Sequence, residues 1–433
     1  MKKHQKIILA LATATSSLMG VAADVYAEES EDLGEWDIDS AVLYYSEPGR
    51  VSALEPVISA KKQIDTDESV KLKLTLDALT GASANGAVPS NMPQTFTKPS
   101  GRGEYTISPN STPLDDTFRD TRVAFSANWE QELSRMTKMI LGGNLSKEYD
   151  YLSVGVSAMF THDVNQRNTT FNAGMSLAND KIVPEGNIPV AFGVMQPSGT
   201  TQPRRTDSDD KTIIDILFGI TQVIDKNSLF QVNYSYSQAD GYLTDPFKVI
   251  SIIDGATGLP IIEDVSTNLS QVVFENRPDS RAKHSLYTQY KRNLTGDVLD
   301  LSYRYMFDDW GITSHTLGLR YRLKSSETTF WQPHLRYYQQ SEAEFFRPYF
   351  VTGQQPGEGT ESIYATSDYR LNEMTTYTVG LEYGEKYHDY GWSLVAEFYL
   401  QSVNEPSMKV GQLEQQELYP DVDAFMLRLN YDF

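Results

Sequence analysis

Residues 297–323 alternate apolar and polar side chains with the two-residue period of a β-strand. Leucine, tyrosine or phenylalanine occupies every second position of 299–307 and of 317–323, and an Asp-Asp-Trp-Gly turn lies between the two stretches. Because successive side chains of a strand point to opposite faces, this pattern predicts a hairpin with one apolar and one polar face. The polar face carries Arg304, Arg320 and Arg322.

This hairpin has two interpretations, which predict different proteins. In a soluble sheet the apolar face is buried in a core and the arginines face solvent. In a transmembrane barrel the leucines and tyrosines face lipid and the arginines face a wet interior. The rest of the chain decides between them.

The same alternation recurs in sixteen segments of ten or more residues, the length that a tilted strand needs to cross the hydrocarbon layer. Bacterial single-chain barrels have an even number of strands, and sixteen fits that rule. The segments are 37–47, 50–61, 69–80, 118–130, 133–147, 149–163, 168–181, 211–222, 228–240, 281–292, 298–307, 312–324, 328–340, 372–384, 391–401 and 422–433.

The connections between these segments alternate in length. All five long connections follow odd-numbered segments, and the connections after even-numbered segments are short; the long ones are 81–117, 182–210, 241–280, 341–371 and 402–421. Short turns at one rim and long loops at the other are typical of outer-membrane barrels, and a soluble β-sandwich has no reason to show them. The sequence therefore predicts an all-β, up-and-down antiparallel transmembrane barrel of about sixteen strands, with short periplasmic turns and long extracellular loops.

The N-terminal residues predict export. Lys2, Lys3 and Lys6 precede the apolar run 7–18, and Ala27 ends a short stretch suited to signal-peptidase cleavage. We therefore expect a signal peptide in 1–27, a short periplasmic segment in 28–36, and an outer-membrane barrel in 37–433.

Composition excludes several other classes of protein. The chain has no cysteine, so disulfides, thiol chemistry and a lipid-attachment cysteine are excluded. No run of about 18 uncharged apolar residues follows the signal, which argues against helical membrane spans. The net charge of −21 argues against nucleic-acid binding. Common zinc-protease, phosphate-loop, dinucleotide and serine-hydrolase motifs are missing from the sequence, so we expect no cofactor and no metal ion.

The last segment ends on an aromatic residue and keeps an apolar face throughout. This face looks like the C-terminal signal that the barrel-assembly machinery reads, and as a bare edge strand it would leave a long exposed edge. It consists of Phe425, Leu427, Leu429, Tyr431 and Phe433.

Three stretches resemble an uncharacterised family of Gram-negative outer-membrane proteins that is known only as a domain of unknown function. They are 44–56, 72–87 and 303–316, and the last, YRYMFDDWGITSHT, is the most distinctive. The resemblance covers nearly the whole mature chain. It implies a barrel of porin-like size, and genes of this family often lie beside those for a periplasmic flavin transferase and small lipoproteins. It implies no substrate.

If leucine and tyrosine face lipid, the opposite parity gives the lumen-facing residues. The basic ones crowd onto strands eleven to thirteen, which are neighbours in an up-and-down barrel, and a basic strip opposite carboxylates can select small polar or anionic solutes. The alternative is that these groups pair with one another and fill the lumen. The predicted lumen residues are Lys71, Lys73, Asp77, Arg122, Asp215, Arg281, Lys283, Arg304, Arg320, Arg322, His334, Arg336, Glu382, Glu397 and Arg428.

The predicted extracellular hairpin tip, Asp308, Asp309, Trp310 and Gly311, invites a catalytic interpretation. Two carboxylates near His315 could act as in a rim protease or ligate a divalent cation. Against this, Asp-Asp before glycine is ordinary turn chemistry, and His315 falls on the lipid face.

The long loops also allow two interpretations. They form a cap that gates the mouth, with divalent cations bridging their carboxylates to lipopolysaccharide phosphates, or they are simply solvated surface. The aromatic stretch 345–350 would be costly if bare, so we expect it to plug the mouth or to meet a partner.

Three functions remain, in order of preference. The first is a porin-like channel or substrate-specific transporter. The second is a closed barrel that serves as a scaffold for a periplasmic lipoprotein or redox partner. The third is a rim protease that uses aspartate and histidine. Expected partners in each case are outer-membrane lipid, lipopolysaccharide and the barrel-assembly machinery.

Overall fold

The computed structural model describes residues 35–264, 266, 268–387, 390–406, 409–419 and 421–433, with the side chains of 116–119 left undescribed. The predicted signal peptide, 1–27, lies outside the described residues, as does most of the predicted periplasmic segment.

Within the described residues, sixteen long antiparallel strands form one closed barrel. Each strand pairs with its neighbours in chain order, which is the predicted up-and-down topology. In order they are β1 (Trp36–Ser46), β2 (Val51–Asp65), β3 (Glu68–Ala84), β4 (Leu114–Ser134), β5 (Thr137–Lys147), β6 (Tyr151–Val164), β7 (Thr169–Ile182), β8 (Asp209–Asp225), β9 (Ser228–Gly241), β10 (Ser280–Leu294), β11 (Asp297–Asp308), β12 (Thr313–Lys324), β13 (Thr329–Gln340), β14 (Met374–Lys386), β15 (Gly391–Val403) and β16 (Val422–Asp432).

The barrel closes because its last strand pairs with its first. Strand β16 pairs antiparallel with β1, so that Leu427 lies opposite Tyr44, and the backbone N–H of Phe433 donates to the carbonyl of Ile38 at 2.9 Å. Leu429 and Phe433 of the predicted assembly signal are exposed on the outer face. Recognition of this strand by the assembly machinery stays a prediction.

The outer face of the barrel is apolar. Leu317 is 50% exposed and Phe398 is 59% exposed, and on both strands the alternate residues face inward. Exposure of large apolar side chains all around a barrel would be unfavourable in water and is the expected surface toward acyl chains. The predicted transmembrane barrel of sixteen strands is therefore confirmed.

The two rims of the barrel differ as predicted. One rim, which we call the turn rim, carries the first and last residues of the barrel and only short turns, for example 66–67 and 295–296. The other, the loop rim, carries all five long connections. We call these connections the cap: 85–113, 183–208, 242–279, 341–373 and 404–421.

The cap has its own small sheets. Val249–Ile253 pairs antiparallel with Val272–Phe274 and parallel with Tyr349–Val351. Gln94–Thr97 pairs antiparallel with Glu104–Ile107 and parallel with Leu269–Ser270. The sequence analysis treated these segments as loops because each is too short to show the two-residue period clearly. Their pairing depends on other loops that are distant in the sequence.

The remaining elements of the cap are also short. Ile262–Asp264 pairs with Leu269–Ser270, and Ile188–Pro189 pairs with Arg204–Thr206. Two single 3₁₀ turns lie at Tyr369–Leu371 and Gly411–Gln415. None of the helices in the described residues is long and apolar enough to span a membrane.

A hydrophobic core joins the cap to the barrel wall. It brings cap residues such as Phe346 and Leu413 against inward-facing residues at the loop rim, including Ile213 on β8, Ala239 on β9 and Val403 on β15. Burying a side chain as large as Phe346 contributes about 1.5–3 kcal/mol. The cap is therefore packed into the mouth of the barrel.

Two cap loops touch at glycines. Gly258 and Gly411 both have positive φ, +68° and +54°, and a Cβ on Gly258 would overlap the carbonyl oxygen of Val410. The side chain of Gln412 secures this crossing, donating to the carbonyl of Gly258 at 3.0 Å and to that of Pro89 at 3.3 Å. The crossing thus links three of the five cap segments.

We expect Gly258→Ala to loosen the cap without unfolding the barrel. The added methyl group clashes with a neighbouring backbone that has no room to move, in addition to the strain of a left-handed alanine. Gly353→Ala is the matched control, because Gly353 also has positive φ (+83°) but has open space around it.

Limited proteolysis of the detergent-solubilised protein measures the effect. Cleavage within the cap should accelerate in the Gly258 variant and much less in the Gly353 variant, while the heat-dependent gel mobility of the barrel stays unchanged. Equal cleavage rates in the two variants would contradict the proposed role of the crossing.

Candidate binding cavity beneath the cap

A cavity of about 1030 Å³ lies inside the barrel beneath the cap. Its walls are inward-facing residues of β1–β3 and β10–β16, and the cap contributes Lys248, Tyr369 and Arg370. Six predicted lumen residues line it: Asp77, Arg304, Arg320, His334, Arg336 and Glu397.

Exposure of the interior changes along β12. Ser314, near the loop rim, is 4% exposed, whereas the side chain of Arg320, nearer the turn rim, is exposed. Strand β16 behaves in the same way, from buried Val422 to exposed Arg428. The cap therefore covers the interior of these strands at the loop rim, and solvent reaches it from the turn rim.

Three arginines occupy one wall of the cavity. Arg304 of β11 lies opposite Thr316, Arg320 of β12 lies opposite His334, and Arg336 of β13 lies opposite Gly318. Small partners at two of these positions leave room for the long arginine side chains. The guanidinium of Arg304 also lies 5.6 Å from the ring centre of Tyr287, a cation–π distance.

Glu397 is tied to a histidine across an intervening strand. His334 of β13 donates from Nε2 to the carboxylate of Glu397 of β15 at 2.5 Å, passing over Gly380 of β14. A Cβ on Gly380 would overlap the imidazole ring, so glycine is required for this pair.

The other three cavity carboxylates also have partners. Glu47 accepts from the hydroxyl of Tyr45 at 2.6 Å and lies 3.4 Å from Arg50. Asp300 accepts from Gln289 at 2.8 Å and lies 3.6 Å from Lys291. Asp77 lies 3.6 Å from Arg122 on the next strand of the barrel, and Glu55 lies 3.5 Å from the same guanidinium.

Arg320 and Arg336 differ from these groups. Across the part of the chain that the structure describes, neither guanidinium lies within 4.0 Å of a carboxylate oxygen. Both side chains are exposed to the cavity. Two cationic groups therefore face the solvent space of the cavity with no carboxylate oxygen of the described residues within 4.0 Å.

Several other predicted lumen residues contact neighbouring side chains of the barrel wall and do not line the cavity. Asp215 is 1% exposed and accepts from Ser176 at 2.9 Å. Arg322 stacks on Phe330 at 3.6 Å, and Glu382 accepts from Gln332 at 2.9 Å. Lys71, Lys73, Lys283 and Arg428 lie on inward-facing positions of β3, β10 and β16 and do not line this cavity.

The hairpin tip is a structural turn. Asp308 accepts from the backbone N–H groups of Trp310 at 3.1 Å and Ile312 at 2.8 Å, and it pairs with Arg281 at 2.5 Å. Asp309 accepts from the backbone of Ala282 at 2.9 Å. Gly311 has a φ of +81°, which favours glycine at this position. Both carboxylates are thus engaged in holding the turn.

Aromatic residues surround this tip on both faces. Trp310 is buried and packs edge-on against Phe345, with ring centres 5.0 Å apart, so part of the predicted aromatic plug lies in the core. His315 lies on the outer face, where its Nδ1 is 2.8 Å from the hydroxyl of Tyr303. The histidine is therefore engaged with the outer aromatic surface.

The two-residue period does not predict the basic residues that the cap and the β1–β2 turn contribute to the cavity. Arg50, Lys248 and Arg370 line the cavity, yet the first lies in the turn after β1 and the others in the cap. No periodic pattern predicts where a loop side chain points. The sequence offers one indication that loop residues contribute to the cavity, which is the number of charged residues in loops that connect neighbouring strands.

A network of six charged residues, five of them buried and Arg370 half-buried, forms the roof of the cavity. Arg277 lies 2.6 Å from Glu275 and 2.8 Å from Asp368, and Arg370 lies 2.5 Å from Asp368 and 3.0 Å from Asp245. Lys248, which is 1% exposed, donates to the carbonyl of Ala84 at the end of β3.

Burial and charge shift the pKa values in this network. Burial alone would raise the pKa of Asp368, but Arg370, Lys248 and Arg277 outweigh it and hold that pKa well below its usual range. Burial lowers the pKa of Lys248 to about 8, and the nearby Arg370 acts in the same direction. Asp368 thus stays ionised, while the pKa of Lys248 is about 8.

Carboxylates also meet at the loop rim outside the cavity. Oxygen atoms of Asp120, Glu148 and Asp150 lie within 4.8 Å of one another. All three residues make further contacts within the protein, and this cluster does not line the cavity.

A family model described as "Protein of unknown function (DUF3570)" matches residues 8–433 of the chain. A search of curated proteins found no match.

Among solved structures, the chain is similar to two siderophore receptors and a secretin. The ferric enterobactin receptor PfeA (mutant R480A_Q482A) of Pseudomonas aeruginosa is 9% identical with a TM-score of 0.42 over 86% of this chain and 54% of that one. The receptor PirA of Acinetobacter baumannii is 10% identical with a TM-score of 0.40 over 86% and 54%. A bacterial polysaccharide outer-membrane secretin is 7% identical with a TM-score of 0.44 over 93% and 99%. The chain spans about half the length of the two receptors.

Lys248 makes the stability of the cap depend on pH. Its folded pKa of about 8 lies below the ordinary lysine value of 10.5, so between these pH values the unfolded state binds more protons than the folded state. Stability conferred by Lys248 should therefore rise with pH from 8 to 10.5, by at most about 1.4 kcal/mol per pH unit.

Thermal unfolding of the cap is monitored by its susceptibility to proteolysis at a series of pH values. These measurements give the slope of cap stability against pH. The variant Lys248→Met lacks the titrating group, so its slope between pH 8 and 10 should be flatter than that of the wild type. The control is Lys409→Met, at a half-buried cap lysine that pairs with Glu405 at 3.1 Å. Parallel slopes in wild type and Lys248→Met would refute the assignment.

Proposed function

Because the chain belongs to the DUF3570 family, for which no function is described, we propose a function from the geometry: a substrate-selective outer-membrane transport protein whose cap gates the loop rim. Solutes would occupy the cavity beneath the cap and exchange through the turn rim. A general diffusion pore is a poorer fit, because a packed core fills the mouth.

The proposed location follows from the surface of the barrel. Closed β-barrels with an apolar exterior are a form in which strands can cross a lipid bilayer, because every backbone group is paired within the wall. Chain ends and short turns of outer-membrane barrels lie in the periplasm. The turn rim would therefore face the periplasm, and the cap would face outward.

The observation that carries the proposal is the charged cavity of about 1030 Å³ beneath the cap. Ligand cavities in proteins usually measure about 300–1,000 Å³. A barrel that served only as a membrane anchor would gain nothing from keeping such a space open. A cap with its own buried ion network also suits a part that moves as a unit, because its charges are compensated internally.

A second candidate is the scaffold for a periplasmic lipoprotein or redox partner. The observation in its favour is the same closure at the loop rim, which leaves an interior open toward the turn rim where a partner could insert. The two proposals differ in conductance, since only the transport protein has a state that passes ions.

We expect wild-type protein in a planar lipid bilayer to conduct weakly and the variant Asp368→Asn to conduct severalfold more. Loss of this carboxylate removes the partner that Arg277 and Arg370 share, so that Arg277 keeps only Glu275 and Arg370 keeps only Asp245, and breaking a buried ion pair costs about 3–5 kcal/mol. The cap should then open more often.

The matched control is Glu358→Gln, which removes a carboxylate from the exposed surface of the cap. This variant should conduct like the wild type. If correctly folded wild type and Asp368→Asn both show no conductance at any voltage, the transport proposal fails and the scaffold is favoured.

A further inference from the structure

The three arginines give one wall of the cavity an excess of positive charge. Arg304 and Arg336 are close enough to repel each other, and Arg320 stands on the strand between them. Asp300 lies opposite Arg320 on the β11–β12 ladder but is engaged by Gln289 and Lys291, and Glu397 is engaged by His334. Repulsion between like charges in a confined space of reduced dielectric is relieved when an anion binds between them.

The spacing of Arg320 and Arg336 favours two anionic groups on one ligand. Arg320 of β12 lies opposite His334 of β13, and Arg336 lies two residues after His334 on β13. Such diagonal positions are about 7–8 Å apart at the backbone, within reach of two long side chains. Each guanidinium can hold one carboxylate or phosphate through two parallel hydrogen bonds.

The remaining walls suit a carbon skeleton better than a bare inorganic ion. Tyr287, Tyr338 and Tyr399 line the cavity beside the arginines. The hydroxyls of Tyr338 and Tyr399 donate to Gln340 at 2.6 Å and to Gln401 at 2.7 Å, so their protons are already used within the protein. What these tyrosines offer a ligand is therefore mainly their rings.

We propose that this cavity binds a small organic dianion, with its two acidic groups held by Arg320 and Arg336 and its carbon skeleton against the tyrosines. This inference deepens the proposed function by naming a class of solute, and it rests on that function for the ligand's route. Entry is from the turn rim, since the interior is exposed there and covered at the loop rim.

Isothermal titration calorimetry on the full-length protein in detergent tests the proposal directly. The probes are phthalate and succinate as dianions, benzoate as a monoanion and succinamide as a neutral analogue. We expect both dianions to bind, benzoate to bind about tenfold more weakly than phthalate, and succinamide not to bind.

Variants identify the site. Arg320→Gln and Arg336→Gln should each weaken phthalate binding at least about tenfold, the effect of losing charge-assisted hydrogen bonds. Arg336→Lys should recover part of the loss, because it keeps the charge and loses the paired geometry. Arg135→Gln, in the exposed turn between β4 and β5, is the matched control and should bind like the wild type.

Two results would overturn this inference. One is the absence of phthalate and succinate binding to a barrel that keeps its folded gel mobility. The other is binding that both arginine variants leave unchanged. These outcomes are separate from the bilayer measurement: conductance without dianion binding retains the transport proposal and removes the dianion, whereas binding without conductance retains the site and removes transport.

Discussion

The whole structure depends on satisfying the backbone hydrogen bonds of a β-sheet in a medium that offers none. A strand edge left open in hydrocarbon would expose a row of unpaired N–H and C=O groups, each costing several kcal/mol. Pairing of β1 with β16 removes both edges, and the last residue, Phe433, still bonds to Ile38. Once closed, the sheet must turn one set of alternate side chains to lipid and the other inward, which creates a polar interior.

That interior is not uniform, and its differences follow from packing. At the loop rim, apolar residues such as Ile213 and Val403 face inward and bind the cap through a hydrophobic core. Nearer the turn rim, charged residues such as Arg320 face inward and remain in contact with water. The same wall thus changes from a docking surface for the cap to the lining of a solvent-filled cavity within a few residues.

The cap solves a different problem, because its loops are too polar to form a core by hydrophobic burial alone. The six charged residues of its network, five of them buried, compensate one another, with Asp368 shared between two arginines. Such networks confer little net stability but penalise alternative arrangements strongly, since any misplacement leaves a charge buried without a partner. The network therefore favours one packed arrangement of the cap. Arg320 and Arg336 lie outside this network, and no carboxylate oxygen of the described residues lies within 4.0 Å of either guanidinium.

The sequence by itself determined the barrel: strand number, direction of each face, unequal rims and the hairpin around Trp310 all follow from the two-residue period, which is a local property of the chain. It also predicted that Arg304, Arg320 and Arg336 share an inward face. Only the tertiary structure decided which charges meet. Arg281 had the same parity as the cavity arginines but pairs with Asp308 at the hairpin tip. Lys248 reaches Ala84, 164 residues away, because loops have no period and their packing depends on contacts between distant segments.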